Sequence, residues 1–331
     1  MVAGGGSSPQ RAARRTPWTP ADVRDKPGPL TDSRFFEQSV VSPLRYPGAK
    51  RQLTPVIENM IRANVPPPRL FVEPFCGGAT TALHMAGRGI VDHVILADAD
   101  PLVAAFWYVA AFDTSWLIGA MHAEPVTLDR WDWWRLAEPR SRRDKAMKCL
   151  FLNRTTFSGI LHGRAGPIGG RAQASPYKID CRFGKAGLER RLKAVGDLAA
   201  TGRILDVWNL DWRETFQRLM QEYAHLSLDE LAVYLDPPYV EKAPYLYEWS
   251  FESDQHEALA RELAQATNFR WLLSYDDNET IRTLYAHVPG VTRLSIPHRY
   301  TAAGSEKRSV RSELLVTNYP DLPPESRSQV I

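Results

Sequence analysis

A strand-like run that ends in an acid and two prolines carries the most specific chemistry in this chain. Residues 231–235 are apolar and predict a buried strand, and Asp236, Pro237 and Pro238 follow it directly. Because proline donates no N–H and fixes the backbone, the carbonyl of Pro237 can accept a hydrogen bond from outside. Asp236 and this carbonyl would match the two N–H donors of an exocyclic amine. Tyr239 adds a flat ring on which a nucleobase can stack.

Such a pair of acceptors would also activate the amine. The amine lone pair is normally delocalised into the ring of the base, and two acceptors pulling on the hydrogens favour a more tetrahedral nitrogen. The alternative is a proline turn after a strand, with a solvated Asp236. The apolar run in front and Tyr239 behind favour the chemical interpretation.

A second predicted strand end carries a glycine turn that suits a nucleotide-like cofactor. Residues 69–72 lead into Glu73, and Gly77-Gly78 opens a helical pattern over residues 79–85. Glycines allow a tight turn and close approach of a ligand, and a helix N-terminus offers unpaired N–H groups. The full dinucleotide fingerprint and the phosphate loop are both absent, so a diphosphate is not specifically indicated.

The next predicted strand, residues 93–97, ends at Asp98. An acid at the end of the second strand, about 20 residues beyond the glycine turn, is placed to bind ribose hydroxyls. The alternative for Asp98 or Asp100 is a helix N-cap. Asp100 suits the cap better, because Pro101 fits a first helical position. Asp98 then remains for the ligand.

These segments stand in the order of a known family. Over roughly residues 43–319 the chain resembles the Dam-type, α-ordered DNA adenine-N6 methyltransferases, which use S-adenosylmethionine. The matching segments are residues 44–53 (an aromatic and a Lys around a glycine turn), 71–79 (the glycine segment), 96–100 (the ribose-binding acid), 151–159 (the start of the DNA-reading region), 234–239 (the catalytic motif) and 313–319 (the last strand). Three positions depart from the family pattern: Ala79 replaces a glycine, and Asp100 and Ser158 each replace an asparagine.

The resemblance implies an α/β protein with a Rossmann-like S-adenosylmethionine-dependent methyltransferase fold and an inserted, mostly helical target-recognition domain. The expected division is a tail at residues 1–40, a first catalytic part at 41–115, the DNA-recognition insert at 116–205, a second catalytic part at 206–320 and a C-terminal tail at 321–331. The glycines, serines, prolines and arginines of residues 1–40 predict disorder there.

The resemblance and the strand-end argument together give a set of candidate site residues. The expected catalytic residues are Asp236, Pro237 and Tyr239. The expected cofactor-binding residues are Tyr46, Lys50, Glu73, Phe75, Gly77, Asp98, Asp211 and Asp236. Of these, Tyr46, Lys50 and Asp211 come from the family resemblance alone.

The distribution of charge predicts where nucleic acid binds. Residues 139–205 hold 15 Lys or Arg and 4 Asp or Glu, a net charge of +11, whereas the rest of the chain carries −8. A basic segment inside an acidic frame is typical of a phosphate-binding surface, although a solvated basic helix at residues 188–198 accounts for part of it. A glycine-rich loop at residues 162–171 is expected to lie outside the core. The candidate DNA-binding residues are Arg154, Arg164, Arg171, Lys178 and Arg182.

The implied reaction is direct methyl transfer from S-adenosylmethionine to N6 of a flipped-out adenine in double-stranded DNA. No covalent intermediate is needed, which fits the absence of the Pro-Cys pair that cytosine-C5 enzymes use. Three alternatives stay open: N4-cytosine methylation, an RNA substrate, and a catalytically silent DNA-binding regulator. A restriction nuclease or another modification-system protein is an open partner.

Composition places the protein in a reducing compartment. The three cysteines are too widely spaced for a disulfide framework or a zinc pattern, and no metal is expected. The N-terminal residues lack the apolar region typical of a signal peptide, and the apolar run at residues 102–111 is too short for a membrane span, so the expected location is the cytoplasm without membrane contact. Trp131, Trp133 and Trp134 are predicted to pack a helix core rather than to stack bases.

Overall fold

A computed structural model describes residues 40–45, 52–238, 253–299 and 310–331, so the predicted N-terminal tail falls outside it apart from residue 40. The helices are α1 (Thr54–Ala63), α2 (Thr80–Gly87), α3 (Pro101–Phe112), α4 (Thr114–Ala123), α5 (Leu128–Leu136), α6 (Arg142–Thr155), α7 (Lys185–Ala200), α8 (Trp212–Glu222), α9 (Ser253–Gln265) and α10 (Glu279–Ala286). The strands are β1 (Leu70–Glu73), β2 (His93–Ala97), β3 (Ile204–Trp208), β4 (Leu231–Leu235), β5 (Arg270–Asp276), β6 (Thr292–Arg299) and β7 (Val310–Thr317). Short 3-10 turns cover Phe157–Gly159 and Pro324–Gln329.

The seven strands form one sheet in the order β3-β2-β1-β4-β5-β7-β6. Strands β1 to β5 run parallel, and β7 runs antiparallel to both β5 and β6. From β1 the chain moves outward through β2 to β3 and then returns to place β4 on the other side of β1. This reversal makes a crevice at the carboxyl ends of β1 and β4, where open α/β sheets bind ligands.

Both faces of the sheet are covered, as the uninterrupted apolar strands predict. Alternate residues point to opposite layers: Phe71 packs with the core that includes α2 and α3, whereas Leu70 and Val72 pack with the core that includes α8 and α9. The Rossmann-like α/β fold expected from the motif order is confirmed by this layered sheet.

The helices of the predicted insert extend the first of these two cores. Leu150 and Phe151 of α6 and Leu188 and Leu192 of α7 are buried in the same cluster as Phe106 of α3. The apolar face predicted for residues 188–198 is therefore turned against the core that includes α2 and α3. Irregular chain from Ile160 to Gly184 separates α6 from α7.

Two expectations about the insert are wrong in detail. Trp131 and Trp134 are buried as predicted, but 51% of Trp133 is exposed, because it stands on the outer face of α5. Within the glycine-rich loop, Pro167 bridges Thr156, and the N–H of Ile168 donates to the carbonyl of Thr155 at 2.8 Å. The middle of this loop is therefore buried against the end of α6 rather than outside the core.

The C-terminal residues dock on the sheet and on α1. Val330 bridges Leu294 at the edge strand β6, and the amide of Asn59 donates to Glu325 at 2.7 Å. Among the described residues no single helix is long and apolar enough to cross a membrane. The pair α3 and α4 passes that test of length and composition only when taken together, with a bend of 111° between them.

Candidate active site

Three acidic side chains from neighbouring strands meet at the carboxyl edge of the sheet. Glu73 is the last residue of β1, Asp98 follows β2 directly, and Asp236 follows β4 directly. Burial raises the pKa of Glu73 well above its ordinary value, and the charges of Asp236 and Asp98 raise it further. The three carboxyl groups are therefore close enough to interact, as the strand-end argument predicts.

The glycine turn between β1 and α2 closes onto the end of β2. Gly77 has a φ of 42°, and its N–H donates to Asp98 Oδ2 at 2.8 Å while its carbonyl accepts from Trp107 Nε1 at 2.7 Å. Ala79, which replaces a glycine of the family pattern, has a φ of 47°. That left-handed conformation explains why glycine suits this position, since a Cβ there costs about 1–2 kcal/mol.

Asp98 is held by two backbone donors. Besides Gly77, the N–H of Asp100 donates to Asp98 Oδ1 at 2.9 Å. These bonds favour the ionised carboxylate, but burial and then the charge of Asp100 outweigh them and raise the pKa of Asp98 from 3.8 to about 7. A carboxylate that is short of solvent and partly protonated near neutral pH would gain from hydroxyl donors of a ligand.

Asp100 has the capping role that the sequence predicts, together with a contact that the sequence does not reveal. Its Oδ1 accepts from the N–H of Leu102 at the start of α3, and its Oδ2 lies 2.7 Å from Nε2 of His162. His162 comes from the irregular part of the insert, 62 residues further along the chain. The insert is thus tied directly to the carboxyl edge of the sheet, where Asp98 lies.

The side chain of Asp236 is held by a hydroxyl from the neighbouring strand. Asp236 is half-buried, and the hydroxyl of Ser274 on β5 donates to its Oδ1 at 3.3 Å. The hydroxyl of Tyr234 lies 2.9 Å from the same Ser274 oxygen. Sequence reasoning missed Ser274 and Tyr234, because only the pairing of β4 with β5 brings them to Asp236.

The other predicted cofactor residues differ in how the structure uses them. Asp211 is the N-cap of α8, where its Oδ1 accepts from the N–H of Glu214 in a capping box. Its carboxylate thus has a structural role at the end of β3. Phe75 is partly buried against the core beneath the sheet. Tyr46, Lys50 and Tyr239 lie outside the described residues.

Asn153 fastens the N-terminal segment to the insert. Its Oδ1 accepts from the N–H of Arg45 at 2.7 Å, and its Nδ2 donates to the carbonyl of Arg45 at 2.6 Å. Gly159, with a φ of 77°, passes so close that a Cβ would lie 2.4 Å from the same carbonyl. The Asn-Arg-x-x-Phe-x-Gly pattern therefore holds Arg45, near the start of the predicted cofactor motif at residues 44–53.

Four arginines form a cluster beside this junction. Only 7% of Arg154 is exposed, and its Nε has no hydrogen-bond partner among the described residues. Burial and the charges of Arg191, Arg45 and Arg182 lower the pKa of Arg154 to about 10. Burial and Arg182 also lower the pKa of Arg45. A buried guanidinium among like charges is unfavourable unless an anion joins the cluster.

The remaining basic candidates are all exposed, but two of them have partners within the protein. Arg171 Nη1 forms an ion pair with Asp132 Oδ1 at 2.5 Å, and Lys178 Nζ donates to the carbonyl of Gln173. Arg164 and Arg182 are exposed on the same insert. Other basic residues counted in the +11 segment also have bonds within the protein; they include Arg143, Lys148, Lys185, Arg191, Lys193 and Arg203. The net charge therefore overstates the surface that is available to phosphate.

Comparison with known families decides the class of the site. Residues 46–164 match the family model described as D12 class N6 adenine-specific DNA methyltransferase. Over these residues the chain is similar to D12-class methyltransferases. The match confirms the family and the enzyme class, an adenine-specific DNA methyltransferase, predicted from motif order. It includes the glycine turn, Asp98 and Arg154, whereas Asp236 lies beyond it.

Other comparisons add little. No match was found among curated proteins. Two solved structures of the rRNA methyltransferase aviRa from Streptomyces viridochromogenes, at 1.5 Å and 2.4 Å resolution, each share 18% identity with this chain. The first alignment covers 90% of this chain and 97% of the other with a TM-score of 0.40, and the second covers 88% and 94% with a TM-score of 0.38. Scores this low carry no argument about fold or substrate.

Proposed function

We propose that the protein moves a methyl group from S-adenosylmethionine to N6 of a flipped-out adenine in double-stranded DNA. The observation that carries this proposal is the meeting of Glu73, Asp98 and Asp236 at one edge of the sheet, beside the glycine turn. The family match favours adenine over cytosine and DNA over RNA.

The residues on the cofactor side fit S-adenosylmethionine by their chemistry. When bound, this cofactor supplies a methyl group activated by its sulfonium sulfur. Asp98 is a buried acceptor for ribose hydroxyls, and the backbone at Gly77 allows close approach. Glu73 and Phe75 lie on β1 and in the turn after it. Tyr46, Lys50 and Asp211 complete the proposed site on the strength of the family resemblance.

The residues on the target side act on the amine. Asp236 and the carbonyl of Pro237 accept the two N–H groups of N6, which orients the nitrogen lone pair, and Tyr239 stacks on the base. As positive charge develops on the nitrogen, the carboxylate of Asp236 stabilises it. Alignment of the reacting atoms contributes most of the acceleration. The base must leave the duplex, because N6 cannot be attacked in line inside the stack.

The arginine cluster supports DNA as the substrate. Arg154 is buried among Arg45, Arg182 and Arg191, and a phosphate is the anion that DNA would bring to it. Arg164 and Arg182 are exposed and suited to further phosphates. Arg171 and Lys178 remain proposed DNA contacts that require release from Asp132 and from the carbonyl of Gln173.

The proposal is tested by Asp236→Ala and Asp236→Asn. Both remove one acceptor, and the asparagine amide also presents a donor to the amine, so both variants should lose turnover while keeping the fold. Methyl transfer to DNA, circular dichroism and calorimetric cofactor binding would be measured together. The matched control is Asp254→Asn, an exposed carboxylate in the first turn of α9, which should keep wild-type turnover. A folded Asp236→Ala protein that methylates DNA at a near-normal rate would refute the proposed role.

A further inference from the structure

We infer that Ser274, itself held by Tyr234, is a positioning residue that sets the orientation of the Asp236 carboxylate for the target amine. This inference rests on the proposed function of Asp236. Ser274 lies outside the motifs that the sequence singles out, and Tyr234, although it opens the segment 234–239, is not among the candidate catalytic residues. Both are buried, with Ser274 at 0% and Tyr234 at 1% exposure, so neither is expected to contact DNA or cofactor directly.

The register of the sheet brings the three side chains together. Tyr234 pairs with Leu272 and Leu235 pairs with Leu273 in parallel strands, so Asp236 continues the ladder opposite Ser274. Since side chains alternate along a strand, Tyr234 and Asp236 point to the same face of the sheet. The chain of hydroxyls follows from this geometry, with 2.9 Å from Tyr234 to Ser274 and 3.3 Å from Ser274 to Asp236.

The direction of the hydrogen bonds follows from the donors available. An ionised carboxylate only accepts, so the hydroxyl hydrogen of Ser274 must point to Asp236 Oδ1. The Ser274 oxygen then accepts from the phenol of Tyr234, which supplies its own hydrogen. Each hydroxyl thus polarises the next towards Asp236.

This chain matters for catalysis because a carboxylate rotates about its last side-chain torsion, which is broad and has no sharp minimum. Holding Oδ1 from the side of β5 sets the plane of the carboxylate, and with it the direction in which Oδ2 points. The two acceptors for the amine, the carboxylate and the carbonyl of Pro237, match the spacing of the N–H groups only in a narrow range of orientations. Ser274 therefore acts on the reaction through Asp236.

The decisive experiment compares the rate of methyl transfer with substrate affinity. Ser274→Ala should slow single-turnover methyl transfer by about 10- to 100-fold, as expected for a misplaced reacting group, while dissociation constants for S-adenosylmethionine and DNA stay within about twofold. Tyr234→Phe keeps the ring and removes only the first donor, so its loss should be smaller, at about threefold to tenfold. The double variant should be no slower than Ser274→Ala alone, because both changes act through one chain.

The matched control is Thr317→Val. Thr317 is another fully buried hydroxyl of the same sheet, bonded at 2.7 Å to the carbonyl of Trp271. Its loss should lower the melting temperature and leave the methyl-transfer rate unchanged. If Ser274→Ala does not fold, Tyr234→Phe decides the question alone.

The outcomes distinguish a failure of the proposed function from a failure of the role assigned to Ser274. A wild-type protein that does not methylate DNA removes the proposed function and this inference with it. An active wild type, together with Ser274→Ala or Tyr234→Phe variants that transfer methyl groups at the wild-type rate, overturns only the role of Ser274. A rate loss matched by an equal loss of cofactor or DNA affinity overturns it as well, since that pattern indicates general damage to the site.

Discussion

The raised pKa of Asp98 predicts a specific dependence of stability on pH. Folding moves this pKa from 3.8 to about 7, a change of about three units, and each unit corresponds to about 1.4 kcal/mol. The folded protein binds this proton more tightly than the unfolded chain does. The resulting stability is therefore complete below pH 4 and is lost as the pH rises through 7. Asp98 alone should make the cofactor-free protein about 4 kcal/mol less stable at pH 8 than at pH 4.

The perturbation that isolates this effect is Asp98→Asn. The amide has a similar size but does not titrate, so its cost through the contacts with Gly77 and Asp100 does not depend on pH. Urea unfolding of both proteins from pH 5 to pH 8 measures the difference in their unfolding free energies. That difference should shift in favour of the variant by several kcal/mol across the range. Parallel stability curves would refute the assignment of a raised pKa to Asp98.

The same carboxyl group links the proton to the proposed cofactor. Hydroxyl donors of a bound ribose favour the ionised form, so S-adenosylmethionine should release a proton when it binds at pH 6. Calorimetry in two buffers of different ionisation enthalpy measures that proton. Binding to the wild type should show it, and any binding that remains in Asp98→Asn should not. Tight binding to Asp98→Asn with wild-type affinity would indicate that Asp98 does not contact the cofactor.

Three further predictions concern DNA binding and packing. Arg154→Met should raise the urea midpoint, because it removes a buried charge whose Nε has no partner among the described residues. It should also reduce the slope of the log–log plot of DNA affinity against salt by ~0.9, the value for one phosphate contact. An unchanged slope would contradict a contact between Arg154 and a phosphate. Arg171→Ala should alter which sites are methylated in sequenced DNA if this arginine reads a base edge, whereas Lys193→Ala should weaken binding to all sequences alike. Gly196→Ala should lower the unfolding free energy by about 1–3 kcal/mol, because its Cβ would lie 2.4 Å from Thr114 Oγ1. Gly119→Ala is the control: with open space around it, it should raise the unfolding free energy by up to about 1 kcal/mol. Equal effects of the two changes would contradict the close packing of Gly196 against Thr114.

Local signals in the sequence predicted the framework of the site. Asp98 and Asp236 each follow a short apolar run, and a carboxylate directly after such a run must lie at the carboxyl end of a strand. The N-cap role of Asp100 in α3 also follows from its neighbour Pro101, which occupies the first position of that helix. These inferences succeed because they depend on residues only a few positions apart.

Contacts between distant segments could not be predicted in the same way. Ser274 reaches Asp236 only through the register of β4 and β5, and His162 reaches Asp100 only because the insert folds back over the sheet. The pairing of Arg171 with Asp132 likewise joins residues 39 positions apart, so charge counting treats Arg171 as available for DNA when it already has a partner. The sequence alone does not show which arginines are bonded within the protein and which are available to DNA, because that depends on how the helices pack.

The sequence also did not predict which side of helix α5 faces solvent. Trp133 and Trp134 are neighbours of the same type, yet Trp134 is buried with its Nε1 donating to Glu124 at 3.0 Å, and Trp133 is exposed beneath the guanidinium of Arg130. Helix α5 carries tryptophans on both faces, so periodicity does not identify the core face. Only the position of α6 against α5 decides it.

Identification of the methylated nucleoside is the most direct test of adenine-N6 methylation in DNA by this protein. Purified protein would be incubated with S-adenosylmethionine and unmethylated DNA, the DNA digested to nucleosides, and the products separated by mass spectrometry, with the Asp236→Ala protein run in parallel. N6-methyldeoxyadenosine is expected from the wild type and none from the variant. N4-methyldeoxycytidine as the product, methylation of RNA in place of DNA, or equal yields from wild type and Asp236→Ala would contradict it.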